Sequence, residues 1–353
     1  MRNTIKTLLA ILTSVALISS VNAGEVSVTG TAKATYSKVS GSVNGNGSIG
    51  ITNELAFNAS GELDNGFTWK WQIEHDPDTG ATSNVQTDDQ RMEIVMGDMG
   101  TIGIYVSEGS LSTKYGWDAS AYTSITDTGF SEGMTYPKNI SDYNNIQYHT
   151  PTLPFSTVLK VGYGADKSTE ASSGNASNVS QGDTMNSYQV TTSPVDGLTI
   201  GASYSDINLY GDDVKGDEQA EESGAYYAKY KTGAFTIGAG KQFYAPAVLD
   251  GAQDTSSGAD QFGAAVVEHY KNTSYSAAYA LNDEVTLSYT NEKGERSMMT
   301  SATATDDIKV KSIQVAYNLG GATLSLARTD TSNVGYTDSV DATENLFAVA
   351  MAF

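Results

Sequence analysis

The sequence predicts an all-β chain, a transmembrane antiparallel β-barrel of sixteen strands. Three observations predict it. Many short runs alternate an apolar or small side chain with a polar one, the period-2 pattern of a strand with one face in lipid and one in water. Short turns and long polar connections alternate strictly along the chain. The chain ends Phe347-Ala348-Val349-Ala350-Met351-Ala352-Phe353, with a large apolar residue at every second position and an aromatic terminus.

The first element is a leader. Met1-Arg2-Asn3-Thr4-Ile5-Lys6 precedes an apolar run from Leu8 to Ile18 and the small-residue cleavage signal Val21-Asn22-Ala23, the anatomy of a secretory signal peptide. The expected organisation is a signal peptide over 1–23 and a single barrel domain over 24–353. Thr13 and Ser14 interrupt the apolar run, and no later segment reaches the roughly 18 apolar residues of a membrane helix. There is no cysteine, so no disulfide staples the fold. Taking the leader bases Arg2 and Lys6 from the 20 leaves 18 bases against 41 acids, a net charge of about −23. That balance disfavours nucleic acid as a partner and favours cations. With 35 Gly, 21 Tyr and 6 Pro, and a negative mean hydropathy, the composition suits a strand-rich shell around a wet interior better than a compact core.

The strands follow in order. Val26, Val28, Gly30, Ala32, Ala34 and Tyr36 form one register of the first, and Ser27, Thr29, Thr31, Lys33 and Thr35 the other. Phe67, Trp69, Trp71 and Ile73 alternate with Thr68, Lys70, Gln72 and Glu74; Met92, Ile94 and Met96 alternate with Arg91, Glu93 and Val95. The pattern recurs at residues 158–163, 198–204 and 285–289. A soluble sandwich also alternates, so the connections discriminate. Turns fall at Asp64-Asn65-Gly66, Asp98-Met99-Gly100, Thr150 to Pro154, Pro194 to Gly197, Thr232-Gly233, Asn282-Asp283 and Asn318 to Gly321. Longer polar stretches occupy residues 39–48, 76–88, 108–142, 165–185, 208–222, 246–272, 292–307 and 331–344. Seven turns and eight loops make fifteen connections and hence sixteen strands, with Gln261 to Tyr279 readable as one strand or two. The terminal strand closes the barrel against the first, and its outward Phe347, Val349, Met351 and Phe353 are expected to double as the signal read by the assembly machinery. Tyr36, Trp69, Trp71, Tyr163, Tyr204, Tyr230, Tyr289 and Tyr317 fall near strand ends, where amphipathic rings suit the headgroup level.

Four stretches carry a family likeness: Glu62-Leu63-Asp64-Asn65-Gly66-Phe67 with Gln72 and Glu74, Gly97-Asp98-Met99-Gly100-Thr101-Ile102, Asn144-Asn145-Ile146-Gln147-Tyr148-His149-Thr150-Pro151, and the terminal Phe353. In these the sequence resembles the general bacterial porin family of Gram-negative outer membranes, over the whole mature chain. The resemblance implies short periplasmic turns, long external loops, a homotrimer in outer-membrane lipid, and a third loop folded inward to narrow the pore. It implies passive diffusion of ions and small hydrophilic solutes, and a constriction with loop acids facing wall bases. Position by position, the inward loop is Glu108 to Asp142, and its length supports this independently, because a 35-residue loop without its own secondary structure is uncommon unless functional or disordered. Its acids are Glu108, Asp118, Asp127, Glu132 and Asp142, and its bases Lys114 and Lys138.

The expected constriction joins Lys33, Lys70 and Arg91 of the wall with Asp118, Asp127 and Glu132 of the loop; the alternative for each is an ordinary solvated lumen charge. Arg91 matches the family's basic residue before the second hairpin. The base that the family often carries at the end of the next strand is missing, where this chain reads Ile104-Tyr105-Val106-Ser107. The charge balance favours cation preference.

Other motifs lead away from catalysis. Gly45-Asn46-Gly47-Ser48-Ile49-Gly50 has the dinucleotide spacing but enters a strand instead of a helix. Asp76-Pro77-Asp78-Thr79-Gly80 lacks the further ligands of a calcium loop. His75, His149 and His269 have no metal-ligand spacing, and no Gly-x-Ser-x-Gly elbow is present. No catalytic residue, metal or cofactor is expected. A substrate-specific porin, a lipid-hydrolysing barrel and an adhesive surface protein are the competing readings.

Overall fold

The computed structural model describes residues 24–43, 45, 47–75, 87–124, 133–166, 184–208, 219–247, 267–299 and 305–353. The leader, Asp127, Glu132 and the Asp76 to Gly80 stretch lie outside the described residues. The first half of the chain forms β1 (Glu25–Gly41), β2 (Ser48–Glu62), β3 (Thr68–His75), β4 (Thr87–Val95), β5 (Thr101–Val106), β6 (Asn144–His149), β7 (Val158–Asp166) and β8 (Thr184–Thr192). The second forms β9 (Leu198–Asn208), β10 (Glu221–Thr232), β11 (Phe235–Ala245), β12 (Val267–Ala280), β13 (Val285–Met298), β14 (Ile308–Asn318), β15 (Thr323–Ser332) and β16 (Ala342–Ala352). Each strand pairs with its sequence neighbours, and β16 returns to β1, giving a closed barrel of 16 strands. Every pairing is antiparallel, as short hairpin turns allow.

The seven turns fall where the sequence places them, but two strands are longer than their pattern suggests. β12 begins at Val267 and β13 runs to Met298, inside stretches that read as loops. Near Glu268-His269-Tyr270-Lys271 and Asn291-Glu292-Lys293-Gly294-Glu295-Arg296 both faces are largely polar. The ladder continues there, with Lys271 opposite Glu295 and Asn272 opposite Gly294, but a strand end no longer facing hydrocarbon loses the alternation that would reveal it. The ambiguous Gln261 to Tyr279 segment contributes the single strand β12 among the described residues.

Alternation sorts the side chains. Val26, Val28, Ile51, Met92, Ile104, Ile237, Ile313 and Leu326 are exposed on the outer face. Ser187, Ser205, Ser223, Gln242, Ser276, Ser288 and Gln314 are buried on the inner one. Such small and amide side chains would be wasted against lipid, and inside they find hydrogen bonds.

The seam that closes the barrel runs from Thr31 opposite Ala352 to Gly41 opposite Ala342. One step further, Gly30 N–H donates to Phe353 O at 2.9 Å and Phe353 N–H donates to Gly30 O at 3.0 Å. Closure removes both sheet edges, which hydrocarbon cannot solvate. Phe347, Met351 and Phe353 are exposed on the outer face, in register with Val349. Deleting Phe353 removes both of these bonds and the aromatic end of the seam. The expected result is a severalfold loss of folded barrel in the outer membrane, read as the heat-modifiable band on a gel; wild-type yield would reject the seam's importance.

Candidate functional site

The connection between β5 and β6 enters the barrel. Ser107 (φ 56°) and Gly109 (φ 84°) both adopt left-handed backbone directly after β5, which turns the chain inward. A Cβ at Gly109 would lie 2.5 Å from Gln147 Nε2 and 2.7 Å from the Tyr105 ring, so only glycine fits this bend. From there the loop runs along the inner wall across successive strands.

A backbone lying against a wall needs partners, and the wall supplies them side chain by side chain. Gln189 Nε2 of β8 donates to Leu111 O at 3.0 Å, and Thr113 N–H donates to Ser203 Oγ of β9 at 2.9 Å. Gln242 Nε2 of β11 donates to Lys114 O at 2.8 Å. Ser276 of β12 works in both directions: its Oγ donates to Trp117 O at 2.9 Å and accepts from Ala119 N–H at 3.0 Å. Ala121 N–H donates to Ser288 Oγ of β13 at 2.8 Å. Gln314 of β14 accepts from Tyr122 N–H and donates to Thr123 O, each at 2.9 Å. The returning limb is held by Asn272 Nδ2, which donates to Thr135 O at 2.9 Å, and by Tyr136 Oη, which donates to Glu292 Oε2 at 2.8 Å. Glu292, fully buried, also accepts from Ser274 Oγ at 2.6 Å and Gln242 Nε2 at 3.1 Å.

Apolar clusters pin the same path. Leu111 and Ile140 of the loop pack with Tyr143, Met185 and Ile207. Met134 packs against Ile308, Val310 and Tyr336. Tyr122 covers Ala327, Leu346 and Ala348, which explains an inward-facing leucine on a polar wall. Trp117, buried at 1% exposure, fits over β11 because Gly238 and Gly240 leave room; a Cβ on Gly238 would collide with Trp117 O.

The loop thus covers the wall from β7 round to β16, and the wall left free is β1 to β4, where the three predicted bases stand. Lys33 faces the loop, its Nζ 5.9 Å from the centre of the Tyr122 ring; a cavity of about 500 Å³ between Lys33, Thr52 and Glu54 on one side and Tyr122 and Thr123 on the other marks the gap. Lys70 and Arg91 line a second space with Ser27, Asn58 and Gln72. Arg91 also meets the root of the loop, its guanidinium 3.0 Å from Glu108 Oε1. The structure therefore brings Arg91 to a loop acid, though to Glu108 instead of Asp118. Asp118 sits further along, its carboxylate accepting from Ser120 N–H at 3.0 Å and Ser120 Oγ at 2.7 Å. Lys229 Nζ donates to Asp118 O at 3.2 Å.

Burial dominates the loop's titration. It pushes Asp118 above the ordinary carboxylate range, although the Ser120 hydrogen bonds and Lys229 pull the other way. Glu108 is also raised by burial, an effect that its ion pair with Arg91 only partly offsets and that Glu93 reinforces. Lys114 is lowered by burial against the opposing pull of Asp142. Desolvation of a charge outweighing a neighbouring opposite charge is expected inside a packed loop.

Sequence reasoning missed Lys160, Lys229 and Lys231, which share the inner face with Gly162, Tyr227 and Ala225. Alternation gave their face; only the loop's path shows that Lys229 and Lys231 share a cavity of about 840 Å³ with Asp118 and Ser120. The histidines stay apart: His75 packs edge-on against Phe57, His269 lies against Phe243, and His149 bonds Gln147 at 2.8 Å. Among the described residues no three His, Asp or Glu side chains are gathered as metal ligands would be.

The family model described as "Gram-negative porin" matches residues 7–351. No curated protein sequence matches the chain. Among solved structures it is similar to Salmonella typhi OmpF in complex with daunomycin, with 15% identity and a TM-score of 0.65 over 94% of this chain and 98% of that one. It is also similar to in-vitro folded OmpT, an outer membrane protein of Vibrio cholerae, with 12% identity and a TM-score of 0.64 over the same shares of the two chains. The trimer form of OmpT aligns with 12% identity and a TM-score of 0.58 over 94% of this chain and all of that one.

Gly238→Ala is expected to lift Trp117 from the wall and break the Ser276 contacts, at roughly 1–3 kcal/mol for each buried group left unpaired. Single-channel recording should show altered conductance and more flicker with the barrel intact. Unaltered traces would mean that the loop does not control the aperture.

Proposed function

This chain belongs to the Gram-negative porin family and is an outer-membrane porin channel; on that premise we propose passive diffusion of ions and small hydrophilic solutes through a homotrimer, with a weak preference for cations. The trimer form of OmpT supports the assembly. We further propose that cleavage after Ala23 leaves one barrel domain over 24–353, and that Phe347, Val349, Met351 and Phe353 are read by the assembly machinery.

The observation that carries the cation preference is charge: about −23 on the mature chain, and five acids against two bases in the inward loop. A confined aqueous path rimmed by one sign of charge concentrates counter-ions and lowers their entry barrier. Lys33, Lys70 and Arg91, with Asp118, Asp127 and Glu132 opposite, form the constriction in this reading. Wall bases turn the local field transverse, and Lys229 and Lys231 add to them, which is why the preference is weak. Screening erodes it further as salt rises, since the Debye length shrinks from about 10 Å at 0.1 M to about 3 Å at 1 M.

Reversal potential across a salt gradient in planar bilayers tests this. Cation preference is expected at low salt and should fall in the combined Asp118→Asn, Asp127→Asn and Glu132→Gln variant; anion preference in the unmodified channel would overturn the reading, and an unchanged triple variant would remove the loop from it. The pH dependence has a sign. A carboxyl group whose pKa is raised gains its proton at a higher pH than an ordinary one, so Asp118 and Glu108 lose charge first on acidification. Cation preference should therefore begin to decline above the ordinary carboxylate range. Asp118→Asn should flatten that early part of the titration.

A further inference from the structure

β10 turns two bases into the lumen. Lys229 lies opposite Thr199 of β9, and Lys231 N–H donates to Gly197 O of the preceding turn at 2.9 Å. Two positions apart on one face of a strand, the two residues are about 7 Å from each other, close enough for their charges to repel. Among the described residues no acid lies within ion-pair distance of either. Lys229 Nζ bonds a neutral group instead, the backbone carbonyl of Asp118 at 3.2 Å, and Lys231 is exposed to the lumen. In a chain with more than twice as many acids as bases, two adjacent bases without an acid call for a physical reason.

Both bases line a space of about 840 Å³. Its roof is the inward loop at Asp118 and Ser120, and its floor is the turn between β8 and β9 at Ser193 and Asp196. Short turns mark the periplasmic end of a barrel, so the space lies on the periplasmic side of the loop. β10 stands across the barrel from the strands that carry Lys33, Lys70 and Arg91. Thr199, Thr236 and Thr286, from three different strands, add hydroxyls to the wall. Both bonds from Ser120 to the Asp118 carboxylate end on Oδ1, which leaves Oδ2 to accept from a solute hydroxyl. Among the described residues of the lining there is neither an arginine nor an aromatic ring.

We propose that this space is a subsite for a small hydroxylated monocarboxylate, a sugar acid, its carboxylate held between Lys229 and Lys231 and its hydroxyls bonded to Asp118 and the threonines. The subsite rests on the channel function proposed for the chain and adds a preferred class of solute to it. The lining selects that class. A neutral sugar would find no ring to stack on and would leave both ammonium groups without a counter-charge. A phosphate ester is best met by an arginine fork or a cradle of backbone N–H groups, and its second charge would face Asp118 and Asp196. A single carboxylate matches two ammonium point charges, and hydroxyls on the remaining carbons answer the hydroxyl wall.

D-Gluconate, D-glucose and acetate are the probes, titrated into the detergent-solubilised protein by calorimetry and added to single channels in planar bilayers. Gluconate should bind and interrupt the current, while glucose and acetate, each with half of the recognised chemistry, should act about tenfold more weakly. Gluconate should also act at lower concentration from the side that the short turns face. That side is read from the access of a thiol reagent to a Gly321→Cys label, since the chain has no cysteine of its own. Lys231→Gln should weaken gluconate about fivefold, the upper end for an exposed ion pair, and Lys229→Gln/Lys231→Gln about twenty-fivefold if the two effects add. Lys231→Gln breaks no side-chain bond among the described residues and serves if the double variant shifts the loop. Equal action of acetate and gluconate, or unaltered gluconate affinity in both variants, would overturn the subsite. So would loss of the block in Arg91→Gln with the lysine variants unaffected, which would move the contact to the opposite wall. A channel that conducts plain salt and binds no gluconate sinks the subsite alone; gluconate binding by a protein that does not conduct sinks the channel function alone.

Discussion

An unpaired amide or carbonyl facing hydrocarbon costs several kcal/mol, and the pairing of β16 with β1 is what removes the two strand edges that would otherwise meet lipid. Everything else depends on that seam. It gives the chain an inside, and only then can the polar register of each strand serve as a wall and not a liability. The seam extends to the last residue, where Gly30 and Phe353 exchange both of their backbone bonds.

The same requirement governs the lumen. Among its described residues the loop after β5 carries few backbone bonds of its own, so serine, asparagine and glutamine on the inner wall answer its amides and carbonyls one by one. This accounts for the burial of Ser223, Gln242, Ser276, Ser288 and Gln314, while Ser187 and Ser205 bond each other. Apolar contacts at Leu111, Met134 and Tyr122 then fix where the loop lies. Because the loop lies mainly along the wall from β7 round to β16, it meets β1 to β4 only at its edges, where Lys33 stands near Tyr122 and Arg91 pairs with Glu108.

Inside and outside therefore divide the charge differently. Within the lumen, Glu108 of the loop pairs with Arg91 of the wall, and Lys229 of the wall reaches the backbone carbonyl of Asp118. On the outer surface the bases collect over several rows toward the long-loop end on one side, above an apolar band. Both patterns come from alternation along strands whose two faces meet different solvents.

The sequence by itself determined the strand number, the turns and the faces of the clearly patterned strands, because a period of two acts locally; the inward loop was legible from its length and from the family resemblance. It did not reveal the full length of β12 and β13, since Glu268 to Lys271 and Asn291 to Arg296 are largely polar on both faces. Lys33, Lys70 and Arg91 were legible as inward-facing, but their height and partners were not. That Arg91 meets Glu108, that Tyr122 lies near Lys33, and that Lys229 approaches Asp118 depend on the route of the loop. Only the tertiary structure decides this route, because it is set by contacts between residues such as Gln314 and Thr123, 191 positions apart, and no local pattern encodes a pairing between a loop and a wall that meet only after the barrel has closed.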